Sequence, residues 1–278
     1  MMATRREMVS EIRRAVAALY EPHEAEAIAR EAVCRLTNVN FSQLVVGYDE
    51  ECDVPEFHSV VSRLAAGTPV QYVTGVAEFC DMDFEVRDGV LIPRPETEDL
   101  VFLIENNVPS GVRILDVGTG SGAIAVSLAA RIKDAKVEAL DISDVALDVA
   151  RRNSLKNSVD IRLHKADALA DFSALGQFDV IVSNPPYVPQ SDLDTMPLNV
   201  RDYEPHTALF VPDNDALCFY RSIAENGQKM LSDRGLLFFE IYEHYGEQTC
   251  AMLRDMGYRD VTLLRDRFDK PRMVWSRK

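Results

Sequence analysis

Basic charge is scarce in this chain. Thirty Lys and Arg stand against 45 Asp and Glu, for a formal net charge of −15 over 278 residues. Proteins that grip nucleic acid without regard to sequence do so by neutralising phosphates with Lys and Arg. The shortage therefore argues against direct nucleic-acid binding, since only a local basic patch could support it. Cysteine and histidine are also thin. Cys34, Cys52, Cys80, Cys218 and Cys250 lie far apart with no C-x-x-C pair, and the five histidines are equally scattered. Neither set has metal-ligand spacing, so no metal site and no disulfide framework is expected. No apolar run approaches the roughly 20 residues that a membrane span requires. Residues 1–14 carry charge throughout and no hydrophobic segment, so no secretory signal is read and a cytoplasmic location is expected. Internal repeats and low-complexity tracts are missing too.

What is present changes character along the chain. Val9, Ile12, Val16 and Leu19 recur at three-to-four spacing, the stripe of an amphipathic helix. Pro22 interrupts it, and Ile28, Ala32, Val33 and Leu36 mark a second helix. A third is signalled by Asp53 and Pro55, then Phe57, Val60, Val61 and Leu64, with Gly67 as its stop. Residues 1–75 are thus expected to form a small helical domain. The period then shortens. Phe84 and Val86 alternate toward Asp88-Gly89, and Val90 and Ile92 alternate away from it, which predicts a hairpin linker over 76–93 turning at Asp88-Gly89.

From about residue 94 to 278 the order is strand, helix, strand. Strands are predicted at 113–117, 136–141, 161–164, 178–182, 236–241, 261–264 and 272–275, and helices at 123–131, 145–153 and 216–231. The alternation predicts an α/β domain with a mostly parallel sheet. Ligands in such folds sit at the carboxyl ends of the strands. Residues 188–215 show no regular pattern and contain Pro189, Pro197, Pro205 and Pro212. Loops of that length inside a domain are usually functional.

A buried-strand pattern, Ile114-Leu115-Asp116-Val117, runs into Gly118-Thr119-Gly120-Ser121-Gly122 and then a helix. Glycines let the main chain approach a ligand closely. Asp141, 19 residues past Gly122, ends the next strand, where a carboxylate can accept from a ribose diol. Together they fit an adenosine-containing cofactor. Gly118, Gly120 and Ala123 also satisfy the dinucleotide pattern, so that reading stays open. Asp116 favours a different ligand: it would repel a pyrophosphate but suits the cationic methionine moiety of S-adenosylmethionine. Asp167, with Ala168 beside it, is placed after the third strand to meet the adenine amine.

Directly after the apolar strand Val180-Ile181-Val182 stands Asn184-Pro185-Pro186-Tyr187. Two prolines stiffen the turn and supply no N–H. The Asn184 side-chain oxygen and the Pro185 carbonyl can then accept both hydrogens of an NH₂ group, while Tyr187 offers a face to a planar group. An amide nitrogen is a poor nucleophile because its lone pair is delocalised. Accepting both hydrogens returns density to nitrogen and aims the lone pair, so that positioning drives the transfer. About 2–4 kcal/mol of barrier is expected to depend on Asn184, by comparison with other fixed polar contacts.

The tetrapeptide resembles the signature of methyltransferases that modify planar NH₂ groups. Further segments resemble the protein-(glutamine-N5) methyltransferases specific for peptide chain release factors, the HemK/PrmC family. These are Pro93-Arg94-Pro95-Glu96-Thr97-Glu98, the run from Gly67-Thr68-Pro69 to Gly75, and Tyr203-Glu204-Pro205 with Ala208-Leu209. The match runs in order from about residue 5 to the end. The resemblance implies a Rossmann-like, seven-stranded class I methyltransferase domain, one of the last strands antiparallel, behind a small N-terminal helical domain that docks the release factor. It implies methyl transfer from S-adenosylmethionine to the glutamine N5 of a Gly-Gly-Gln motif, leaving S-adenosylhomocysteine. Gly118, Thr119, Gly120, Ser121, Gly122, Asp141, Asp167, Ala168 and Asn184 would hold the cofactor. Asn184, Pro185, Pro186 and Tyr187 would bind the target glutamine, with Asn184, Pro185 and Tyr187 catalytic. Ala168 stands where some members carry an aromatic, and Tyr242 where many carry glycine after Glu240-Ile241.

Two rivals share parts of this pattern. An adenine-N6 DNA methyltransferase has the same glycine loop and tetrapeptide but needs base flipping and a positively charged recognition region. A noncatalytic binding module would have no use for an intact glycine loop, Asp141 and tetrapeptide.

Overall fold

The computed structural model describes residues 2–266 and 268–278. It divides into two compact units: one holds the residues up to Val76 together with Met196–Tyr203, the other Ala77–Thr195 and Glu204–Lys278. The sequence boundaries had kept 196–203 inside the second domain, whereas these residues group with the first unit.

The first unit is helical, with helices Arg5–Val16, Pro22–Thr37, Phe41–Val46, Phe57–Ala65 and Val70–Thr74, and a short antiparallel pair, Met2–Thr4 with Glu51–Asp53. The first helix starts where it does because Thr4 and Glu7 form a capping box: Glu7 N–H donates to Thr4 Oγ1 and Thr4 N–H to Glu7 Oε2. Met8, Ile12, Val16, Ala29, Val33, Phe57 and Leu64 build its core. Leu19, expected on the same face, is exposed because the helix has already ended at Val16.

In the second unit, all seven predicted strands form one sheet. We number them β1 (Arg113–Val117), β2 (Lys136–Asp141), β3 (Ile161–Lys165), β4 (Phe178–Ser183), β5 (Leu231–Glu240), β6 (Arg259–Arg265) and β7 (Pro271–Arg277). Their order is β6-β7-β5-β4-β1-β2-β3. Pairing is parallel from β5 through β3, and β7 runs antiparallel to both β5 and β6. In β1, Ile114, Leu115 and Val117 are fully buried, as a central parallel strand covered on both faces requires. One core layer carries Val126, Val180 and Phe238, the other Leu115, Ile181 and Phe239. The chain leaves β1 toward β2 and β3, then returns to lay β4 on the other side of β1. That reversal is the switch point where ligands bind.

The hairpin is one turn earlier than predicted. Val76–Phe79 pairs with Met82–Glu85 across Cys80-Asp81, not across Asp88-Gly89. Cys80 and Asp81 both have positive φ, 50° and 62°, the geometry that matches strand twist in a two-residue turn. Val90 and Ile92 are buried as their alternation implies. Val90, however, packs on Ala146 and Val149, and the Ile92 N–H donates to the Glu204 carboxylate, so no ladder forms there.

The patternless stretch also has structure. Val188–Pro189 pairs in parallel with Phe210–Val211, and helical turns occupy Gln190–Thr195, Leu198–Arg201 and His206–Leu209. Each piece is too short for periodicity to reveal. Helix Pro95–Asn107, opened by Pro95 at its first turn, likewise went unpredicted. No helix among the described residues is long and apolar enough to cross a membrane.

Candidate functional site

At the carboxyl ends of β1, β2 and β4 the second unit holds a cavity of about 570 Å³, within the roughly 300–1,000 Å³ typical of small-molecule pockets. Gly118, Thr119, Gly120 and Ser121 line one side. Gly118 and Gly120 adopt φ of 77° and 56°, and a Cβ built on either meets nothing within 4 Å. The main chain there is bare and faces open space. Gly118 and Thr119 N–H groups both donate to the Leu140 carbonyl, tying the loop to β2.

Gly122 was expected to touch the ligand and does not line the cavity. Its φ is 81°, and a Cβ would stand 3.0 Å from the Ala150 Cβ and 3.1 Å from the Ala150 Cα. Its smallness lets the loop lie against helix Asp144–Lys156. Asp116 needs a similar correction. It is fully buried and is not among the lining residues; its Oδ2 accepts the Thr119 hydroxyl at 2.6 Å. Burial pushes its acid up to about 7, with the Thr119 hydrogen bond opposing. Asp116 therefore braces the loop from behind.

Asp141 lines the cavity and is itself held. Gly120 N–H donates to its Oδ2 and Ser143 N–H to its Oδ1, both at 2.9 Å. Burial raises this acid, and those backbone donors pull the other way. Asp167 and Ala168 line the wall next to it. The Asp167 carboxylate accepts from Leu169 N–H at 2.8 Å, and the Ala168 carbonyl accepts the Ser222 hydroxyl at 2.7 Å.

Asn184, Pro185 and Pro186 line the same cavity, across from the glycine loop in sequence and adjacent to it through the β1–β4 pairing. Tyr187 does not line it. Its hydroxyl donates to Glu240 Oε1 at 3.2 Å, and its ring stacks on Tyr242, centroids 5.9 Å apart and planes 16° from parallel. Burial and the Glu240 charge push the Tyr187 phenol well above its ordinary range, so it keeps its proton and donates a hydrogen bond. Tyr242 in turn donates to Asp192 at 2.7 Å. Tyr242 thus supplies the ring against which Tyr187 rests.

Several residues at the site were not identified from sequence as functional. Thr97 lines the cavity; its hydroxyl donates to Glu240 Oε2 at 2.6 Å and accepts from Asn184 Nδ2 at 3.2 Å. Glu240, at the end of β5, is 2% exposed. Burial raises its acid, opposed first by Thr97 and then by Arg272. Arg94 pairs with the buried Glu204, which also accepts from Ile92 N–H, so the segment before the sheet and the segment after the tetrapeptide are clamped together. Thr97, Arg94 and Glu204 all sit in the quoted resemblance segments. Glu240 is the one charge in the apolar run 236–241, a signal that could have marked it, though not its partners.

The family description Methyltransferase small domain matches residues 97–198, and PrmC N-terminal domain matches 11–75. The release factor glutamine methyltransferase of Bacteroides thetaiotaomicron is 41% identical over 271 residues, covering 96% of this chain and 98% of its own. That of Flavobacterium psychrophilum is 39% identical, covering 94% of each. A solved methyltransferase from Pyrococcus furiosus shares the fold with a TM-score of 0.53 at 18% identity, covering 78% of this chain and 96% of its own.

Proposed function

The chain belongs to the family of release factor glutamine methyltransferases, and from there we propose how its site serves that activity. The substrate is the glutamine of the Gly-Gly-Gln motif of a peptide chain release factor, methylated on its side-chain N5. S-adenosylmethionine is the cofactor, and when bound it supplies an electrophilic methyl group. The bare main chain of Gly118 and Gly120 suits close approach by such a ligand, with Thr119 and Ser121 completing the cradle. Asp141 accepts from the ribose, its orientation set by Gly120 and Ser143. Asp167 and Ala168 meet the adenine.

Asn184 Oδ1 and the Pro185 carbonyl accept the two amide hydrogens of the glutamine. They draw the nitrogen lone pair out of conjugation and hold it in line. The proton released on N-methylation passes to water. Pro186 keeps the turn stiff, and Tyr187 backs it from the side away from the cavity. Residues 1–75 are assigned to docking the release factor and 76–93 to linking the two domains. The reaction is assigned to the cytoplasm.

The observation that carries this reading is that residues 184–186 and the glycine loop line one cavity. Labelled S-adenosylmethionine and a release factor should yield a single labelled glutamine on peptide mapping. Asn184→Ala should lower the rate about 10²–10³-fold. Undiminished labelling by that variant, or label on DNA in place of the release factor, would contradict the proposal.

A further inference from the structure

We infer that Thr97 and Glu240 are positioning residues that decide which way round the Asn184 amide stands. The inference rests on the proposed role of Asn184 as an acceptor for the substrate N–H. An asparagine side chain presents an oxygen on one side and an NH₂ on the other, and the two are nearly the same shape. Only its hydrogen-bond partners can choose between them.

The choice is made two links away. Glu240 is buried, and an ionised carboxylate can only accept. Thr97 and Tyr187 reach its two oxygens through hydroxyls, at 2.6 and 3.2 Å. Thr97 has a single hydroxyl proton, and the short contact commits it to Glu240. Toward Asn184 the Thr97 oxygen therefore shows a lone pair, which only the Asn184 NH₂ can satisfy, at 3.2 Å. The Asn184 oxygen is left as the acceptor the site presents. Reversed, the amide would set oxygen against lone pair at Thr97 and offer donors to a substrate group that is itself a donor. The same carboxylate holds the Tyr187 hydroxyl, so one buried charge orients both ends of the tetrapeptide. Burial raises the Glu240 acid, and the Thr97 hydroxyl, the Arg272 charge and the Tyr187 hydroxyl act against it in favour of the acceptor-only form.

The test compares wild type with Thr97→Val, which keeps the shape and loses the hydroxyl, with Thr97→Ser, which restores it, and with Glu240→Gln, whose amide can donate to Thr97. Two quantities are read: kcat on a release factor, and hydrogen exchange of the ¹⁵N-labelled Asn184 side-chain amide in enzyme without substrate. Thr97→Val and Glu240→Gln should lower kcat about 10–10²-fold while KM for S-adenosylmethionine stays within about threefold, because only the transition-state contact is lost. Thr97→Ser should return kcat to within about threefold of wild type. Asn184 amide exchange should be slow in wild type and Thr97→Ser and fast in Thr97→Val. Wild-type kcat together with slow exchange in Thr97→Val overturns the inference. A wild-type protein that methylates no release factor, yet shows an amide protected by Thr97 and exposed by its removal, would refute the substrate reading and still support the orientation.

Discussion

Asp116 has the motif position expected of a ligand contact and the burial of a core residue. Its folded acid lies at about 7, against 3.8 for the free side chain. Between those values the native state holds a proton that the unfolded chain has released. The group therefore stabilises the fold most fully below about pH 4, and the contribution is lost as pH rises to about 7. Asn at this position does not titrate. Urea unfolding of wild type and Asp116→Asn should show wild type losing on the order of 2 kcal/mol relative to the variant between pH 5 and pH 8. A pH-independent difference would mean that the carboxylate is not buried as described. The residue type was legible in the sequence; its orientation was not, because a strand pattern does not say on which side of the following loop a polar side chain ends.

The glycine loop joins two elements, and its glycines do different jobs. Gly122 faces backbone and side chain of Ala150, so Gly122→Ala adds a tight contact to an unfavourable φ. That should destabilise the fold by about 1–3 kcal/mol. Gly120→Ala meets open space and should cost about 1–2 kcal/mol through φ alone. Because Gly120 lines the cavity, the added methyl group should weaken S-adenosylhomocysteine binding far more than it weakens the fold. Thermal melts with and without S-adenosylhomocysteine separate the two; equal loss of ligand stabilisation in both variants would refute the division. The hairpin shows the converse limit of local reading. Asp88-Gly89 is the stronger turn signal, yet the pairing uses Cys80-Asp81, and the Cys80 N–H is held by the Glu98 carboxylate 18 residues on. Asp88-Gly89 does turn, the Val90 N–H donating to the Arg87 carbonyl at 3.1 Å, but its flanks find partners elsewhere and no ladder follows.

For the molecule as a whole, the net charge of −15 bears on the choice between an amide and a base as methyl acceptor. Nonspecific DNA affinity comes almost entirely from neutralised phosphates and falls steeply with salt. At about 0.15 M salt, filter binding is expected to retain no duplex DNA at micromolar protein. A tight complex whose affinity falls steeply as salt rises would reopen the adenine reading. Local pattern also disclosed some parts of the chain far better than others. The seven sheet strands were placed within a few residues, since each is an apolar run bounded by turn residues. The segment from Val188 to Val211 was not, because its short pairs and single helical turns depend on partners elsewhere, such as Val188 against Phe210.

Sequence alone determined the seven strands, the glycine loop after the first and the tetrapeptide after the fourth, because strand periodicity and the rigidity of proline act locally. Only the tertiary structure decided that Gly122 and Asp116 support the loop from outside the cavity, and that Tyr187 turns toward Tyr242 and Glu240. It also decided that Thr97, 87 residues before Asn184, would meet it. Hydrogen-bond partners so far apart in the chain leave no periodic trace, so their pairing emerges only once the sheet has brought them together.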